Sequence, residues 1–240
     1  SGLGASVARR LAAAFVQVSI FDTNADQGRV FAEQIGGRFH AVDVSDAASV
    51  AQGMAEVKSA QGGLDVLVNC AGIGPAAKTV SRGMPHDPAL FTKVVGINLT
   101  GSFICASQAA ALMQERPADT PDGERGVIVH TASVAAYEGQ MGQAAYAASK
   151  GGIVGMTLPM ARDLAASGIR VCAIAPGLFL TPLLAGLPEE VQSSLGQQVP
   201  FPPRLGDPDE FAATACHIME NRMLNGEVIR LDGAIRMAPR

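Results

Sequence analysis

"GVIVHTASVAAYEGQMGQAAYAASKGGIVGMTLPMARDLAASGIRVCAIAPG" (residues 126–177) decides the fold. It opens on a run, 126–131, that is rich in β-branched residues and apolar on both faces. A helical pattern follows over 143–166, and a second apolar run covers 169–175. Two such strands joined by a helix make a parallel pair with a right-handed crossover. The alternation continues outward. Further strands are expected at 16–21, 38–42, 64–69 and 227–231, and further helices at 4–14, 26–34, 47–60, 88–114 and 207–220. Strict alternation predicts an α/β fold, a doubly wound parallel sheet with helices on both faces.

The chain has 240 residues, 48% of them hydrophobic and 17% charged, with no linker and no internal repeat, so one domain over 1–240 is expected. Net charge is −4 and no basic run exists, which argues against nucleic acid as a partner. No uninterrupted apolar stretch approaches the roughly 18 residues of a membrane span. Cys70, Cys105, Cys172 and Cys216 form no Cys-x-x-Cys pair and read as buried thiols in a reducing compartment. His40, His86, His130 and His217 show no ligand spacing, so no metal is expected. No signal or transit peptide is visible. A cytoplasmic location is expected, or the mitochondrial matrix if a transit segment lies upstream.

Two segments break the alternation. Residues 114–126, "QERPADTPDGERG", read as a polar surface loop. Residues 176–208 are long, apolar and proline-rich, and 178–205 within them read as a substrate lid carrying Leu178, Phe179, Leu180, Leu183, Leu184, Leu187 and Phe201.

Ser1-Gly2-Leu3-Gly4 precedes a helix, where glycines let backbone amides approach a pyrophosphate. Asp22 closes the 16–21 strand 18 residues after Gly4, where a carboxylate meets a ribose hydroxyl. Asp43-Val44 and "NCAG" (69–72, with Cys70 and Gly72) end two further strands. Taken singly, these are ordinary turns and caps. Their shared carboxyl edge is where open α/β sheets bind ligands. Asn98 is a polar residue amid apolar helix positions. Ser133 ends the 126–131 strand region. Tyr146 and Lys150, four apart, lie on one helix face among tiny residues. The chain has only two tyrosines and no tryptophan.

"SGLG", "NCAG", Asn98, "TAS…YAASK" and the "PG" at 176–177 together resemble the short-chain dehydrogenase/reductase family over the whole chain. Within it, "APGLFLTPLL", "VPFPPRLGDP" and "LNGEVIRLDGAIRM" are similar to the type II 3-hydroxyacyl-CoA dehydrogenases. The resemblance implies a Rossmann-type fold that binds NAD and interconverts 3-hydroxyacyl-CoA and 3-oxoacyl-CoA. It implies catalytic roles for Asn98, Ser133, Tyr146 and Lys150. Tyr146 is then the general acid/base, Lys150 steadies its phenolate and holds a ribose, Ser133 binds the reacting oxygen, and Asn98 supports a relay water. Cofactor contacts are implied at Ser1, Leu3, Gly4, Asp22, Asp43, Val44, Cys70, Gly72, Tyr146, Lys150, Phe179 and Thr181, and substrate contacts at Ser133, Gln140 and Tyr146. Tyr137, the rival base, has Met rather than Lys at residue 141. A homotetramer is implied too, and the expected strand with Val228, Ile229 and Leu231 is an edge that needs cover.

The chain departs from the family pattern twice. The family's first strand and the first glycine of its turn are not in the sequence, and without that strand its neighbours' edges are left unpaired. Phe15-Val16 stand where the family usually turns on a glycine. A hydroxysteroid or other secondary-alcohol dehydrogenase shares this scaffold, as does a non-catalytic binding protein, against which the intact set Asn98, Ser133, Tyr146 and Lys150 speaks.

Overall fold

The computed structural model describes residues 1–118 and 120–239, with the backbone alone at Leu183. Its strands are β1 (Ser19–Asp22), β2 (Arg38–Ala41), β3 (Val66–Asn69), β4 (Val80–Ser81), β5 (Met84–Pro85), β6 (Gly126–Thr131), β7 (Ile169–Pro176) and β8 (Val228–Leu231). Its helices are α1 (Gly2–Ala13), α2 (Ala25–Gln34), α3 (Ala47–Gln61), α4 (Pro88–Val95), α5 (Gly101–Gln114), α6 (Ala144–Leu164), α7 (Pro182–Ala185), α8 (Glu189–Gly196) and α9 (Pro208–Glu220). Each strand of the opening 126–177 unit and its crossover helix falls where the apolar pattern places it.

β3, β6, β7 and β8 form a parallel sheet in that order, and β1 pairs in parallel with β2. The pleat of β6 sorts the core. Val127 and Val129 point to α1 and α9, against Val7, Phe211, Ala215 and Ile218. Ile128 points to the opposite layer, against Cys105, Ala109 and Met113 of α5 and Met160 of α6. Burial on both faces is why these strands read as continuous apolar runs. β1 and β3 share no hydrogen bond. Their facing edges are unpaired, as expected where the family's first strand is not in the sequence, and the space of about 790 Å³ between them is walled by Ile20, Val66 and Val68 of the strands and by Val7, Ala8, Met54 and Val57 of α1 and α3.

Arg170 at the start of β7 fastens α9 to the sheet. Its buried guanidinium donates to the carbonyls of Ile218, Met219, Asn221 and Leu224 and to the Glu124 carboxylate. Of these, the Ile218 and Met219 carbonyls lie in the last turn of α9, where no intrahelical partner remains. Glu124 belongs to the polar segment 114–126, whose described residues are mainly turns.

The structure differs from the sequence reading in four places. The expected 88–114 helix is α4 and α5 joined by one π-helical turn, Gly96–Thr100. An 18-residue window of that 27-residue run has a mean hydropathy of 1.5, so the run is long and apolar enough to cross a membrane. Here it packs against α3 and α6 as a core helix. The 73–88 segment holds an unexpected hairpin, β4–β5. The lid contains α7 and α8 rather than irregular chain only. The strand expected from Val16 starts at Ser19, because Phe15 turns the chain at φ +61°.

That φ lies in the left-handed region, which costs a residue with a Cβ about 1–2 kcal/mol. Phe15 is 97% exposed, so its ring contributes no packing in return. Phe15→Gly is expected to raise Tm by about 2–4 °C, whereas Phe15→Ala, which keeps the Cβ, gives no comparable gain. Paired thermal melts of the two variants check this.

Candidate active site

Asn98, wholly buried in the π-helical turn, is the site's bracket. Ile73 N–H donates to its Oδ1 (2.8 Å), and its Nδ2 donates to the Ile73 carbonyl (2.8 Å) and to Ser149 Oγ (3.1 Å). The Ser149 hydroxyl donates in turn to the Tyr146 carbonyl (2.7 Å). One amide thus ties the loop after β3 to the first turns of α6. A π-helical turn in a long helix is a rare distortion found at functional sites, and here it swings Asn98 toward that loop. Asn69, at the end of β3, adds a second tie through Nδ2 to the Ser102 carbonyl (3.2 Å) and to His130 Nδ1 (3.2 Å).

Tyr146 and Lys150 lie one turn apart on α6, and the Lys150 Nζ is 5.7 Å from the Tyr146 ring centroid. Nζ donates to the Thr131 carbonyl at the end of β6 (2.6 Å). Burial pushes this ammonium down to about 8 from its usual 10.5. Burial, and secondarily Lys150, holds His130 down at about 4, so it is neutral at physiological pH. The Tyr146 phenol is pushed above the ordinary tyrosine range by burial, and the neighbouring Ser133 pulls the other way. Ser133 Oγ also accepts from Ala135 N–H (3.1 Å). Gly72 and Gly74 leave space beside these groups. A Cβ on Gly72 would stand 3.2 Å from Asn98 Oδ1, and one on Gly74 would stand 3.3 Å from the Tyr146 ring.

A second group gathers at the start of α1. Ser1, Gly4, Asp22, Val44, Cys70 and Gly72 all line the cavity between β1 and β3. A Cβ on Gly4 would sit 3.1 Å from the Cys70 Cβ, and one on Gly2 would sit 3.2 Å from Pro182. Helix start, strand end and lid root are therefore packed together, with backbone exposed where a Cβ would fill the space. Asp22 is exposed and accepts from Asn24 N–H (2.9 Å). Asp43 accepts from Ser45 through its N–H and its hydroxyl, which holds the carboxylate below its usual range. Cys70 receives a hydrogen bond from Thr131 Oγ1 (3.5 Å), while burial pushes its thiol up. Leu3 and Phe179 turn into the hydrophobic core instead, and Thr181 stands beside Gly2. All four cysteines are free.

Gln140 Nε2 donates to the Ala238 carbonyl (3.0 Å). Tyr137 is half exposed under the Arg230 guanidinium, 5.1 Å from its ring. Three partners escaped the sequence reading. Ile73 and Thr131 act through backbone groups, which leave no mark on a sequence. Ser149 stands inside "AASK" and was legible there only as a small residue.

A family model described as enoyl-(acyl carrier protein) reductase matches residues 1–235. The chain is 51% identical to a human protein named 3-hydroxyacyl-CoA dehydrogenase type-2, covering 100% of this chain and 93% of that one. It is 48% identical to the Drosophila melanogaster protein of that name, covering 100% and 95%. A crystal structure of 3-hydroxyacyl-CoA dehydrogenase type-2 from Mycobacterium avium superposes with a TM-score of 0.93 at 41% identity, over 100% of this chain and 93% of that one.

The buried lysine makes a stability test. Below pH 8 the folded chain carries a desolvated ammonium and the unfolded chain a solvated one, so burial destabilises the fold there. The penalty fades as pH rises from 8 toward 10.5. Lys150→Met is expected to raise the thermal stability of the cofactor-free protein at pH 7, on the order of 2 kcal/mol, while abolishing turnover. Melting curves at pH 7 and at pH 10 check the sign, since the gain shrinks at the higher pH.

Proposed function

We propose that this chain, which belongs to the short-chain dehydrogenase/reductase family, interconverts 3-hydroxyacyl-CoA and 3-oxoacyl-CoA with NAD(H) as cofactor. The observation that carries the reading is the convergence of Ser133, Tyr146 and Lys150 at the ends of β6 and in α6, braced by Asn98. The groove formed by Ser1, Gly4, Cys70 and Gly72 at the start of α1 fits a dinucleotide. It offers close backbone approach and a helix N-terminus for phosphates, and Asp22 stands at the strand end for a ribose. NAD(H), when bound, accepts or supplies the hydride.

The chain's own residues handle the proton. In reduction the Tyr146 phenol gives its proton to the substrate carbonyl oxygen, and in oxidation the phenolate removes it from the alcohol. Ser133 uses a lone pair on Ala135 N–H, which leaves its own O–H to donate to the reacting oxygen. Lys150 spends one N–H on Thr131 and keeps two for a ribose hydroxyl and for the field that favours phenolate. Asn98 holds Ile73 and Ser149, and so fixes the helix turn from which Tyr146 projects. The apolar lid, with Leu178, Leu180, Leu184 and Leu187, covers an acyl chain and excludes water. A homotetramer supplies cover for β8 and for the exposed Phe103 and Leu158 on α5 and α6. The free thiols fit a reducing, cytoplasmic setting.

Acetoacetyl-CoA reduction, followed by loss of NADH absorbance, tests the reading. The thioester is expected to be turned over far more efficiently than acetoacetate or a steroid ketone. Tyr146→Phe loses at least 100-fold in kcat with the Kd for NADH within about threefold of the original. A steroid preferred over every acyl-CoA would favour the hydroxysteroid dehydrogenase alternative.

Cofactor choice rests on Asp22. A 2′-phosphate would meet its carboxylate, and Arg29, the next arginine along the chain, is stacked on Phe39 5.5 Å away. NADPH is expected to be used at least 100-fold less efficiently than NADH, and Asp22→Ser to narrow that gap. Steady-state kcat/KM for both nucleotides measures it.

A further inference from the structure

The connector 137–143 joins the two reacting residues, Ser133 before it and Tyr146 just after it. It is clasped from one side by the end of the chain. Arg230 of β8 makes a paired contact with Glu138 (2.8 and 2.9 Å), covers the Tyr137 ring, and donates to Asp232 (2.8 Å) and to the Ile235 carbonyl (3.2 Å). Further on, Gln140 Nε2 donates to the Ala238 carbonyl (3.0 Å), and Met141 N–H donates to the Pro239 carbonyl (3.0 Å). On the other side, Ala77 N–H holds the Gly142 carbonyl (2.9 Å). The helix that follows starts without a side-chain cap. The N-cap residue, Gln143, gives its Oε1 to Gln140 N–H (2.9 Å) instead. The first turn of α6, which carries Tyr146, therefore takes its position from the connector rather than from its own cap.

We infer that residues 232–239 are a positioning element for the active site, acting through Gln140 and Met141 on the connector that sets Ser133 against Tyr146. Gln140 is a positioning residue whose amide is spent on the tail rather than on substrate. This rests on the dehydrogenase reading above. Catalytic groups misplaced by an ångström lose about 100-fold in rate, so two hydrogen bonds far from the reacting atoms suffice for a measurable effect.

The test compares the full chain, Gln140→Leu, a variant ending at Arg236, and both changes combined. Acetoacetyl-CoA reduction, NADH binding by fluorescence and thermal melting are measured on each. Either change alone is expected to lower kcat at least tenfold, with the Kd for NADH within twofold and Tm within a few degrees. The combined variant is expected to be no worse than the shortened one, because Gln140 acts through the tail. Original kcat in the shortened variant overturns the inference. So does an equal further loss when Gln140→Leu is added to it, which would make Gln140 a direct substrate contact. If the full chain fails to reduce acetoacetyl-CoA, it is the proposed function that falls. Positioning is then decided by ultraviolet titration of Tyr146 as the sole tyrosine in a Tyr137→Phe background. A midpoint displaced by Gln140→Leu or by shortening supports the inference, and an unchanged midpoint in both overturns it.

Discussion

The site depends on one buried amide. Asn98 offers Ile73 an acceptor and a donor in the arrangement of a neighbouring strand, both at 2.8 Å, and so substitutes for a β-pairing that the loop after β3 does not have. A polar side chain with no exposure is tolerated only when its hydrogen bonds are made. That requirement makes the arrangement specific: a loop displaced from Ile73 would strand the amide in an apolar layer. The same amide reaches Ser149, and through it the Tyr146 carbonyl, so the loop that borders the cofactor groove and the helix that carries the phenol share one bracket. The π-helical turn at Gly96–Thr100 is the local distortion that lets the bracket form.

Burial then sets the electrostatics. Removing water from around Lys150 and Tyr146 disfavours both charged forms, which works against the ion pair that hydride chemistry in the oxidative direction needs. The chain accepts that cost and compensates locally. The Thr131 carbonyl takes one lysine N–H, Ser133 draws the phenol's pKa back down, and neutral His130 adds no competing positive charge. A high phenol pKa is no handicap for reduction, where the neutral form is the donor. On the proposed reading, stability and function conflict at Lys150, and the reaction is a reason to keep a lysine where a methionine would be more comfortable.

The elements legible in the sequence are those whose burial is two-sided or strongly periodic. β6, α6 and β7 were placed within a residue or two because apolar runs and small-residue helix faces have few other readings. Tyr146 and Lys150 stood out because four-residue spacing means the same thing in any helix. The π-helical turn was invisible, since one inserted residue barely disturbs the apolar pattern of 88–114. β4 and β5, two residues each and exposed, carry no periodicity at all. The lid's prolines hid its helices, although Pro182 merely occupies the first turn of α7, where its missing N–H costs nothing. Phe15 was legible as an oddity. Its positive φ explains why a glycine is the easier residue there.

On the proposed reading, hydride transfer imposes one further demand, that the nucleotide groove and the proton-handling groups keep a fixed separation. Asp22 belongs to the β1–β2 pair, whereas Tyr146, Ser133 and Lys150 are fixed to β6 and α6. Packing at the edge also links these groups. The start of α1 lies against Cys70 at the end of β3, Gly2 lies against the lid root at Thr181 and Pro182, and Val44 closes on Gly101 at the start of α5. Each of these contacts involves a glycine whose missing Cβ permits the approach. On the proposed reading, bulk at Gly4 or Gly101 would shift the cofactor groove relative to the phenol, because a Cβ at either position meets its neighbour at 3.1 Å or less.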